Sequence, residues 1–314
     1  MRLATIDLGS NTVRLLVADV VGAGRWRVVD ADQRVTRLGE GLAASGRLGE
    51  APAARTAALV AEYVARARGA GAERVAIVAT SAVREAANGR AFAAGLERAT
   101  GETVSVVSGE QEAALTLAGV LGGVGDTPGA ATPGAEGDTM VFDIGGGSTE
   151  YILAAGGTTV AMVSLRLGVV DLTERHPFPG PVEAARFRAL RDEVAARLAA
   201  EVPATMRAAP VARLIGTAGT ATTLAALDLG LTTYDPARVQ GHTLTRGAID
   251  AQLARLGALT VGERAALPCL EPGRADLIVP GLAIVLATLE LVGTDRMVVS
   301  DWGLREGILL SLCP

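Results

Sequence analysis

Residues 141–150 read VFDIGGGSTE, an apolar run typical of a buried strand that ends in a turn of three glycines. The run delivers one carboxylate, Asp143, before the glycines, and a second, Glu150, follows Ser148 and Thr149. A backbone without side chains can turn its N–H groups toward an anion, and neighbouring carboxylates can hold a hard cation. The stretch therefore predicts a site for a phosphate group and its divalent ion.

A related stretch, ATIDLGSNTVRLLV, occupies residues 4–17 and places Asp7, Ser10 and Asn11 after a first strand. One such loop alone is commonly a tight turn in which glycine serves only a conformation with positive φ. Two of them in one chain indicate two like-folded halves that face one ligand.

Composition limits the class of protein. The chain has 314 residues, 49% of them hydrophobic and 20% charged, which favours two compact domains of ordinary size. No apolar run approaches the ~18 residues of a membrane helix, and the first residues enter a strand without signal-peptide features, so we expect a cytoplasmic protein without membrane contact. Cys269 and Cys313, the only two cysteines, support neither a disulfide framework nor a zinc site.

Absent residue types constrain the chemistry. The sequence contains no Lys, so all 29 basic side chains are Arg, and Walker-type phosphate loops and Schiff-base chemistry are excluded. With only His176 and His242, a multi-histidine metal centre is impossible, and carboxylates must supply acid and base catalysis. The formal net charge of -5 gives no indication of nucleic-acid binding.

Hydrophobic periodicity predicts three antiparallel strands at the start, followed by alternating helices and strands. One continuous helix is expected over 81–100 and another over 181–208. A segment rich in Gly, Pro and Ala, residues 124–138, is expected to link two domains, 1–124 and 125–302. Because the strand and helix pattern repeats after this segment, the sequence predicts a duplicated α/β architecture with a cleft between its halves.

Seven motifs occur in the order seen in one family: DLGSNT, TSAVREAANG, SGEQEA, DIGGGSTE, GTAGTAT, RADLIVPGLAI and VSDWGLREGIL. On these motifs the chain resembles the exopolyphosphatase/guanosine pentaphosphate phosphohydrolase (Ppx/GppA) family from Thr5 to Leu310. The resemblance implies an α/β fold of two ribonuclease-H-like domains, as in the actin-like ATPase superfamily, with an interdomain cleft. The closing helix, about 303–314, is expected to pack back on the first domain.

The resemblance assigns the general base to Glu112, which would orient and deprotonate the water that attacks the terminal phosphorus. On sequence alone Glu112 could equally be a first-turn acid of a helix for which Ser108 is the plausible N-cap. Glu110 is the fallback base, although a solvated carboxylate that favours the helix dipole is the simpler interpretation.

The resemblance also implies that Asp143 and Glu150 hold Mg²⁺ or Mn²⁺, with Asp7 as a third carboxylate on the metal or on its waters. The residues expected to bind the terminal phosphate are Gly145, Gly146, Gly147, Ser148, Ser10 and Asn11.

Arg84 matches a family arginine that contacts substrate phosphate, and the alternative is a surface residue paired with a neighbour on its own helix. Arg37 and Arg166 are weaker candidates for the cleft. Asp171 stands where many relatives carry Arg, so one anion contact of the family is missing or replaced, with Arg166 as the candidate replacement.

Gly216 to Thr220 occupies the place where nucleotide-using members of the superfamily form part of an adenosine pocket. Here we expect its glycines to serve close packing of a strand on a helix. His242 is expected to be a hydrogen-bonded structural residue.

The resemblance favours a metal-dependent exopolyphosphatase that releases orthophosphate from the ends of inorganic polyphosphate. Short chains are the expected substrates, because the sequence stops at Pro314 without the further helical domains of longer relatives. The alternatives are hydrolysis of the 5′ terminal phosphate of guanosine pentaphosphate, an ATP-dependent kinase of small molecules with the same fold, and a slow sensor protein. A homodimer is expected from the family.

Overall fold

The computed structural model describes residues 1–22, 25–124 and 137–313, and their backbone forms two compact units, each built on one β-sheet. The first unit comprises Met1–Gly122, Gly145–Gly147 and Gly303–Pro314, and the second comprises Gly123–Ile144 and Ser148–Trp302. Most of the predicted linker, residues 125–136, lies outside the described residues.

The elements follow the alternation that the sequence predicts. In chain order the strands are β1 (Arg2–Leu8), β2 (Thr12–Gly22), β3 (Arg25–Val35), β4 (Arg74–Ala79), β5 (Val104–Val106), β6 (Asp138–Ile144), β7 (Thr149–Ala155), β8 (Thr158–Leu165), β9 (Val211–Thr217), β10 (Thr243–Thr245) and β11 (Arg296–Val299). The helices are α1 (Leu42–Ser45), α2 (Glu50–Gly69), α3 (Ser81–Glu85), α4 (Gly89–Thr100), α5 (Gly109–Val124), α6 (Val169–Arg175), α7 (Ala184–Glu201), α8 (Ala204–Arg207), α9 (Ala218–Asp228), α10 (Pro236–Val239), α11 (Arg246–Gly257), α12 (Val261–Ala265), α13 (Ile278–Val292) and α14 (Leu304–Leu312), with a 3₁₀ turn at Pro272–Arg274. In the described part of the chain, no helix combines the length and apolar composition needed to cross a membrane.

The sheet of the first unit has the strand order β3-β2-β1-β4-β5. Strand β1 pairs antiparallel with β2 and β2 antiparallel with β3, which confirms the predicted antiparallel opening. Strands β1 and β4 are parallel, with Leu8 opposite Ala79. Because parallel strands end at one edge, the turns that follow Leu8 and Ala79 lie side by side.

The sheet of the second unit has the order β10-β11-β9-β6-β7-β8. Its central strand β6 is antiparallel to β7 and parallel to β9, so that Asp143 lies opposite Glu150 on one side and Thr217 on the other. Helix α13 is apolar all round and buried along most of its length, and the Tyr151 hydroxyl contacts Thr288 Oγ1 of this helix at 2.6 Å. A helix without a polar face belongs inside the core, which is where the unit holds it.

Two predicted helices are each divided in the structure. The segment 81–100 forms α3 and α4, because the chain becomes extended at Ala86 (ψ 134°) and a side chain on Gly89 would overlap the Val83 carbonyl oxygen. The segment 181–208 forms α7 and α8, because Pro203 disfavours a helical conformation of the residue before it.

Three hydrogen bonds fix the division of 81–100. The Ala87 N–H donates to the Gly46 carbonyl at 2.9 Å, the Leu48 N–H donates to Asn88 Oδ1 at 2.8 Å, and Asn88 Nδ2 donates to the Leu48 carbonyl at 3.0 Å. The Asn88 amide thus binds the backbone of Leu48 as a neighbouring strand would, and it holds the end of α3 against the segment before α2.

We expect Asn88→Ala to lower the free energy of unfolding by about 1–2 kcal/mol, because two backbone groups of Leu48 lose their hydrogen-bond partner. Urea unfolding followed by circular dichroism measures the change. Arg90→Ala, an exposed substitution two residues further on, is the control and should leave the unfolding midpoint unchanged. Equal midpoints for Asn88→Ala and the control would contradict the structural role of Asn88.

Candidate functional site

The turn after β1 is held by its carbonyl groups. The Ser10 carbonyl accepts a hydrogen bond from the Gly39 N–H at 2.7 Å, and the Asn11 carbonyl accepts from the N–H groups of Thr36 and Arg37 at 2.9 Å. The peptide bond between Ser10 and Asn11 is trans, so its N–H points away from its carbonyl and therefore away from Gly39. The Asn11 N–H is thereby turned toward the opposite side of the turn.

The three-glycine turn meets this N–H. A Cβ atom placed on Gly146 would lie 3.0 Å from the Asn11 nitrogen, and one on Gly147 would lie 2.8 Å from Ser10 Oγ. A side chain at either position would have to push these neighbouring atoms aside, which favours glycine at both. The structure therefore brings together four of the predicted phosphate-binding residues: Ser10, Asn11, Gly146 and Gly147.

Ser81 belongs to the same cluster and was not predicted. Its Oγ lies 2.6 Å from the Cβ position of Gly147, and its side chain is buried. Ser81 begins α3 directly after β4, so it stands at the sheet edge where the turn after β1 also lies. Its place just after the strand RVAIVA is the signal that the sequence contains for this residue.

One amide of this cluster is incompletely satisfied. Asn11 is 8% exposed, and its Nδ2 donates to Thr12 Oγ1 at 3.3 Å, whereas its Oδ1 has no hydrogen-bond partner among the described residues. Because the nitrogen and oxygen of an amide can exchange places by rotation, either end of this side chain can be presented to a ligand. A buried polar atom without a partner is costly, so a bound group at this turn would relieve that cost.

Helix α5 begins with the predicted capping arrangement and carries the predicted base. The Gln111 N–H donates to Ser108 Oγ at 3.1 Å, and the Ser108 N–H donates to the Gln111 side chain at 2.9 Å, which confirms Ser108 as the N-cap. Glu110 is exposed, whereas Glu112 is buried with 8% of its surface accessible. Glu110 is thus a solvated carboxylate in the first turn of the helix, whereas Glu112 is shielded from solvent.

Arg84 and Glu112 form an ion pair. Arg84 Nη1 donates to Glu112 Oε2 at 2.7 Å and to the Val107 carbonyl at 3.1 Å, while Nη2 lies 4.0 Å from Glu85, beyond hydrogen-bond distance. The alternative from sequence, a surface residue paired with Glu85 or Asn88, is met in part, since Arg84 also forms an ion pair with Glu85 at 4.0 Å. Ser81 and Arg84 are three residues apart in α3, so they are neighbours on one face of that helix.

Asp7 is a buried acid between charged side chains. It is 4% exposed, and Arg14, its partner on β2, lies 3.4 Å from its Oδ2. Burial raises the pKa of Asp7, the positive charges of Arg14 and Arg305 act in the opposite direction, and the negative charge of Glu306 adds to the rise. Arg305 and Glu306 belong to α14 and were not predicted as site residues.

Asp143 and Glu150 are direct partners across β6 and β7. Cross-strand partners lie on one face of a sheet with Cβ atoms about 5 Å apart, and two like charges in this position destabilise the pairing. Glu150 is buried and accepts a hydrogen bond from Ser164 Oγ at 2.7 Å. Ser148, also buried, begins the return from the glycine turn into β7.

This carboxylate pair fits a divalent cation. Mg²⁺ is commonly held by one or two carboxylates, with waters and substrate phosphate oxygens completing its coordination, and a divalent cation held by Asp143 and Glu150 would offset the like charges of an ionised pair. Within the described residues, no three His, Cys, Asp or Glu side chains form a group able to hold a metal ion. Asp7 lies in the first unit, whereas the pair lies in the second.

Comparison with known proteins agrees with this chemistry. Residues 16–314 match the Ppx/GppA phosphatase family. The chain belongs to this family. Exopolyphosphatase 2 of Mycobacterium tuberculosis is 37% identical over 327 residues, which cover 99% of this chain and 98% of that protein. The guanosine-5'-triphosphate,3'-diphosphate pyrophosphatase of Aeromonas hydrophila is 29% identical over 98% of this chain and 59% of its own length.

A solved structure of the Aquifex aeolicus Ppx/GppA family member superposes with a TM-score of 0.80 at 35% identity, covering 99% of this chain and 97% of that one. The chain is thus a phosphatase of the hydrolase class, and its two mixed sheets with flanking helices form the two-domain, actin-like fold of the Ppx/GppA structures. The predicted family and fold class are confirmed.

The other residues singled out from the sequence are Gly216, Gly219, His242 and Arg166, and the contacts of the first three are those of packing and structural residues. A Cβ on Gly216 would lie 2.9 Å from the Phe142 ring, and one on Gly219 would overlap the Arg274 guanidinium, so both glycines permit close packing. His242 Nε2 lies 2.7 Å from Asp228 Oδ2, a hydrogen bond within the second unit. Arg166 is exposed.

Gly147→Ala is expected to lower the phosphatase kcat/KM about 100-fold or more, because the methyl group displaces the hydroxyls of Ser10 and Ser81 from the turn. Orthophosphate release measures the loss, with thermal unfolding recorded for each variant. Gly180→Ala is the matched control, since a Cβ there meets no atom within 4 Å. Activity of Gly147→Ala close to that of the control would show that this turn does not form the site.

Proposed function

We propose that this protein is an exopolyphosphatase, which releases orthophosphate from the ends of inorganic polyphosphate by in-line attack of water. One observation carries the proposal: α3 links the phosphate-binding turn to the candidate base. Its Ser81 contacts the glycine turn, and its Arg84, on the same helix face, binds Glu112. The 37% identical relative named exopolyphosphatase supports the same substrate.

The glycine turn and the turn after β1 bind the terminal phosphate in this proposal. The Asn11 N–H and the Ser10 hydroxyl supply donors at this closely packed place, while the neighbouring Ser81 hydroxyl donates to Glu85 Oε1 at 2.9 Å. Charge on the equatorial oxygens of the transferred group grows or is redistributed in the transition state, and fixed donors stabilise it without reorganisation. Gly145 and Ser148 flank the turn and are proposed to add backbone donors.

Glu112 holds and deprotonates the attacking water. Arg84 Nη1 donates hydrogen bonds to Glu112 and to the Val107 carbonyl, and this fixes the carboxylate. Its Nη2 lies 4.0 Å from Glu85, which is an ion pair and not a hydrogen bond. In this proposal Nη2 exchanges its 4.0 Å ion pair with Glu85 for a substrate phosphate. One arginine thus orients the base and neutralises the phosphate that the base-activated water attacks.

Asp143 and Glu150 are the residues proposed to hold Mg²⁺ or Mn²⁺, with Asp7 acting on the ion or on its waters. When bound, the ion neutralises phosphate charge and polarises the phosphoryl oxygens. Ser164 keeps Glu150 in place through its 2.7 Å hydrogen bond.

Hydrolysis of guanosine pentaphosphate is the second candidate. It is favoured by the relative of Aeromonas hydrophila, which matches 98% of this chain. The same donors and the same base serve either substrate, because each ends in a phosphoanhydride.

Glu112→Gln is expected to lower kcat for orthophosphate release by about 10²–10⁴-fold with little change in KM, because the amide cannot accept the proton of water. Glu110→Gln removes an exposed acid from the same helical turn and should keep the activity within about twofold of wild type. Release from short polyphosphate, guanosine pentaphosphate and ATP under Mg²⁺ is compared by kcat/KM. A higher kcat/KM for guanosine pentaphosphate would replace the first candidate by the second, and transfer of phosphate from ATP to a small acceptor would overturn both.

Glu150→Gln is expected to have opposite effects on metal binding and on stability. It should raise the Mg²⁺ concentration needed for half-maximal activity about tenfold or more, since a charged ligand is lost. The metal-free protein should gain about 0.2–1 kcal/mol in the free energy of unfolding, since the repulsion with Asp143 is removed. Asp138→Asn, at the other end of β6, is the control for both measurements. A loss of metal-free stability would contradict the proposed repulsion.

A further inference from the structure

One carboxylate oxygen of Glu85, the last residue of α3, lies beside two polar groups of its own helix. Ser81 Oγ donates a hydrogen bond to Glu85 Oε1 at 2.9 Å, and Arg84 Nη2 lies 4.0 Å from the same oxygen. Ser81 Oγ is also 2.6 Å from the place that a Cβ on Gly147 would take. The hydroxyl that Glu85 holds is therefore the one beside the glycine turn.

The two groups that Glu85 binds are of the kind that binds phosphate. Hydroxyls and guanidinium groups donate to carboxylate and phosphate oxygens alike. A serine hydroxyl has a single proton, so Ser81 Oγ cannot donate to Glu85 and to a phosphate at the same time. Glu85 is thus an anion of the protein on donors that the oxygens of a bound phosphate can also use.

Two carboxylates share the guanidinium of Arg84. Its Nη1 donates to Glu112 Oε2 at 2.7 Å, while its Nη2 forms the ion pair with Glu85. The Glu85 and Glu112 side chains are only 20% and 10% accessible, so water screens their charges incompletely. When both acids are ionised, the three groups carry one negative charge in excess. A phosphate at Nη2 therefore meets repulsion unless the Glu85 carboxylate turns away.

Helix stability does not account for the charge of Glu85. The residue ends α3, and the C-terminus of a helix favours a cation over an anion. The hydrogen bond from Ser81 spans one helical turn, but the neutral amide oxygen of a glutamine can accept it as well. The charge of Glu85, and not its hydrogen bond, is what calls for a functional explanation.

We propose that Glu85 sets the affinity of the site for phosphate: its carboxylate holds the Ser81 hydroxyl and Nη2 of Arg84 until a terminal phosphate displaces it from both. This inference rests on the proposed function, in which Arg84 and the glycine turn bind that phosphate. The competition weakens the binding of the substrate end and of the orthophosphate product alike. Weak product binding suits an enzyme that removes one phosphate after another, because each product has to leave before the next end binds.

Calorimetric titration with inorganic phosphate, in buffer without divalent ions, tests the competition without metal or turnover. Glu85→Gln should bind phosphate about tenfold more tightly than wild type, the scale of one hydrogen bond to a charged group. In steady-state release from short polyphosphate with Mg²⁺, the KM of Glu85→Gln should fall. Its kcat should stay within about twofold of wild type, because Glu112 keeps its hydrogen bond from Arg84.

Glu62→Gln is the matched control, because it removes the same charge from the same unit and its carboxylate pairs with Arg34 Nη1 at 2.9 Å. It should leave phosphate affinity unchanged. A double-substitution cycle with Arg84→Met separates competition from repulsion at a distance: the gain from Glu85→Gln should be much smaller once the shared guanidinium is removed. The urea midpoint of Glu85→Gln should equal that of wild type, because the amide keeps the hydrogen bond from Ser81.

The outcomes distinguish this inference from the proposed function. Equal or weaker phosphate binding by Glu85→Gln, an unchanged KM, or an equal gain with and without Arg84 overturns the role of Glu85. Orthophosphate release from polyphosphate by wild type leaves the proposed function standing in each of these cases. If Glu85→Gln binds phosphate more tightly but wild type releases none from polyphosphate, the proposed function is wrong and the competition stands. Absence of phosphate binding in both proteins overturns the competition.

Discussion

The contact between the glycine turn and the turn after β1 is the constraint on which the rest of the site depends. It exists because the Ser10 carbonyl is bound to the Gly39 N–H, which turns the Asn11 N–H the other way, and because Gly146 has no side chain to obstruct it. The Asn11 N–H is therefore oriented by the hydrogen bond that the carbonyl of the same peptide group, that of Ser10, accepts from Gly39. Rigid orientation of this kind is what makes a backbone N–H effective toward an anion.

Several carboxylates of this protein lie where charge is costly. Asp7, Glu112 and Glu150 are all buried acids. Their carboxylates contact the side chains of Arg14, Arg84 and Ser164, respectively. Since buried carboxylates are seldom retained for stability alone, their presence at the end of β1, the start of β7 and the start of α5 is what a functional site would require. The absence of Lys sharpens the point, because every cationic partner has to be the planar guanidinium of Arg, which can bind two groups at once.

The sequence was sufficient for what depends on local pattern. The strands that flank Asp143, the antiparallel opening and the Ser108 cap follow from alternation and from residue preferences, and the family followed from motif order. The sequence pattern does not reveal contacts between segments that are distant in the chain. Ser81 joins the cluster only because β1 and β4 end at one edge, and α14 meets β1 across some 300 residues of chain, where the Arg305 carbonyl accepts a hydrogen bond from Thr5 Oγ1. The division of 81–100 was missed for the same reason, since the Asn88 amide binds Leu48.

This last contact has a consequence for how sequences of this kind can diverge. Gly46 to Leu48 connects α1 to α2, with Gly46 and Arg47 exposed and Leu48 buried, and connections between helices are segments in which evolution usually accepts added or deleted residues. Here the connection fixes the end of α3 through hydrogen bonds to Ala87 and Asn88. Helix α3 carries Ser81 and Arg84. A change of length in that connection would displace α3, so this loop should be as constant in length as the turns that follow β1 and β6.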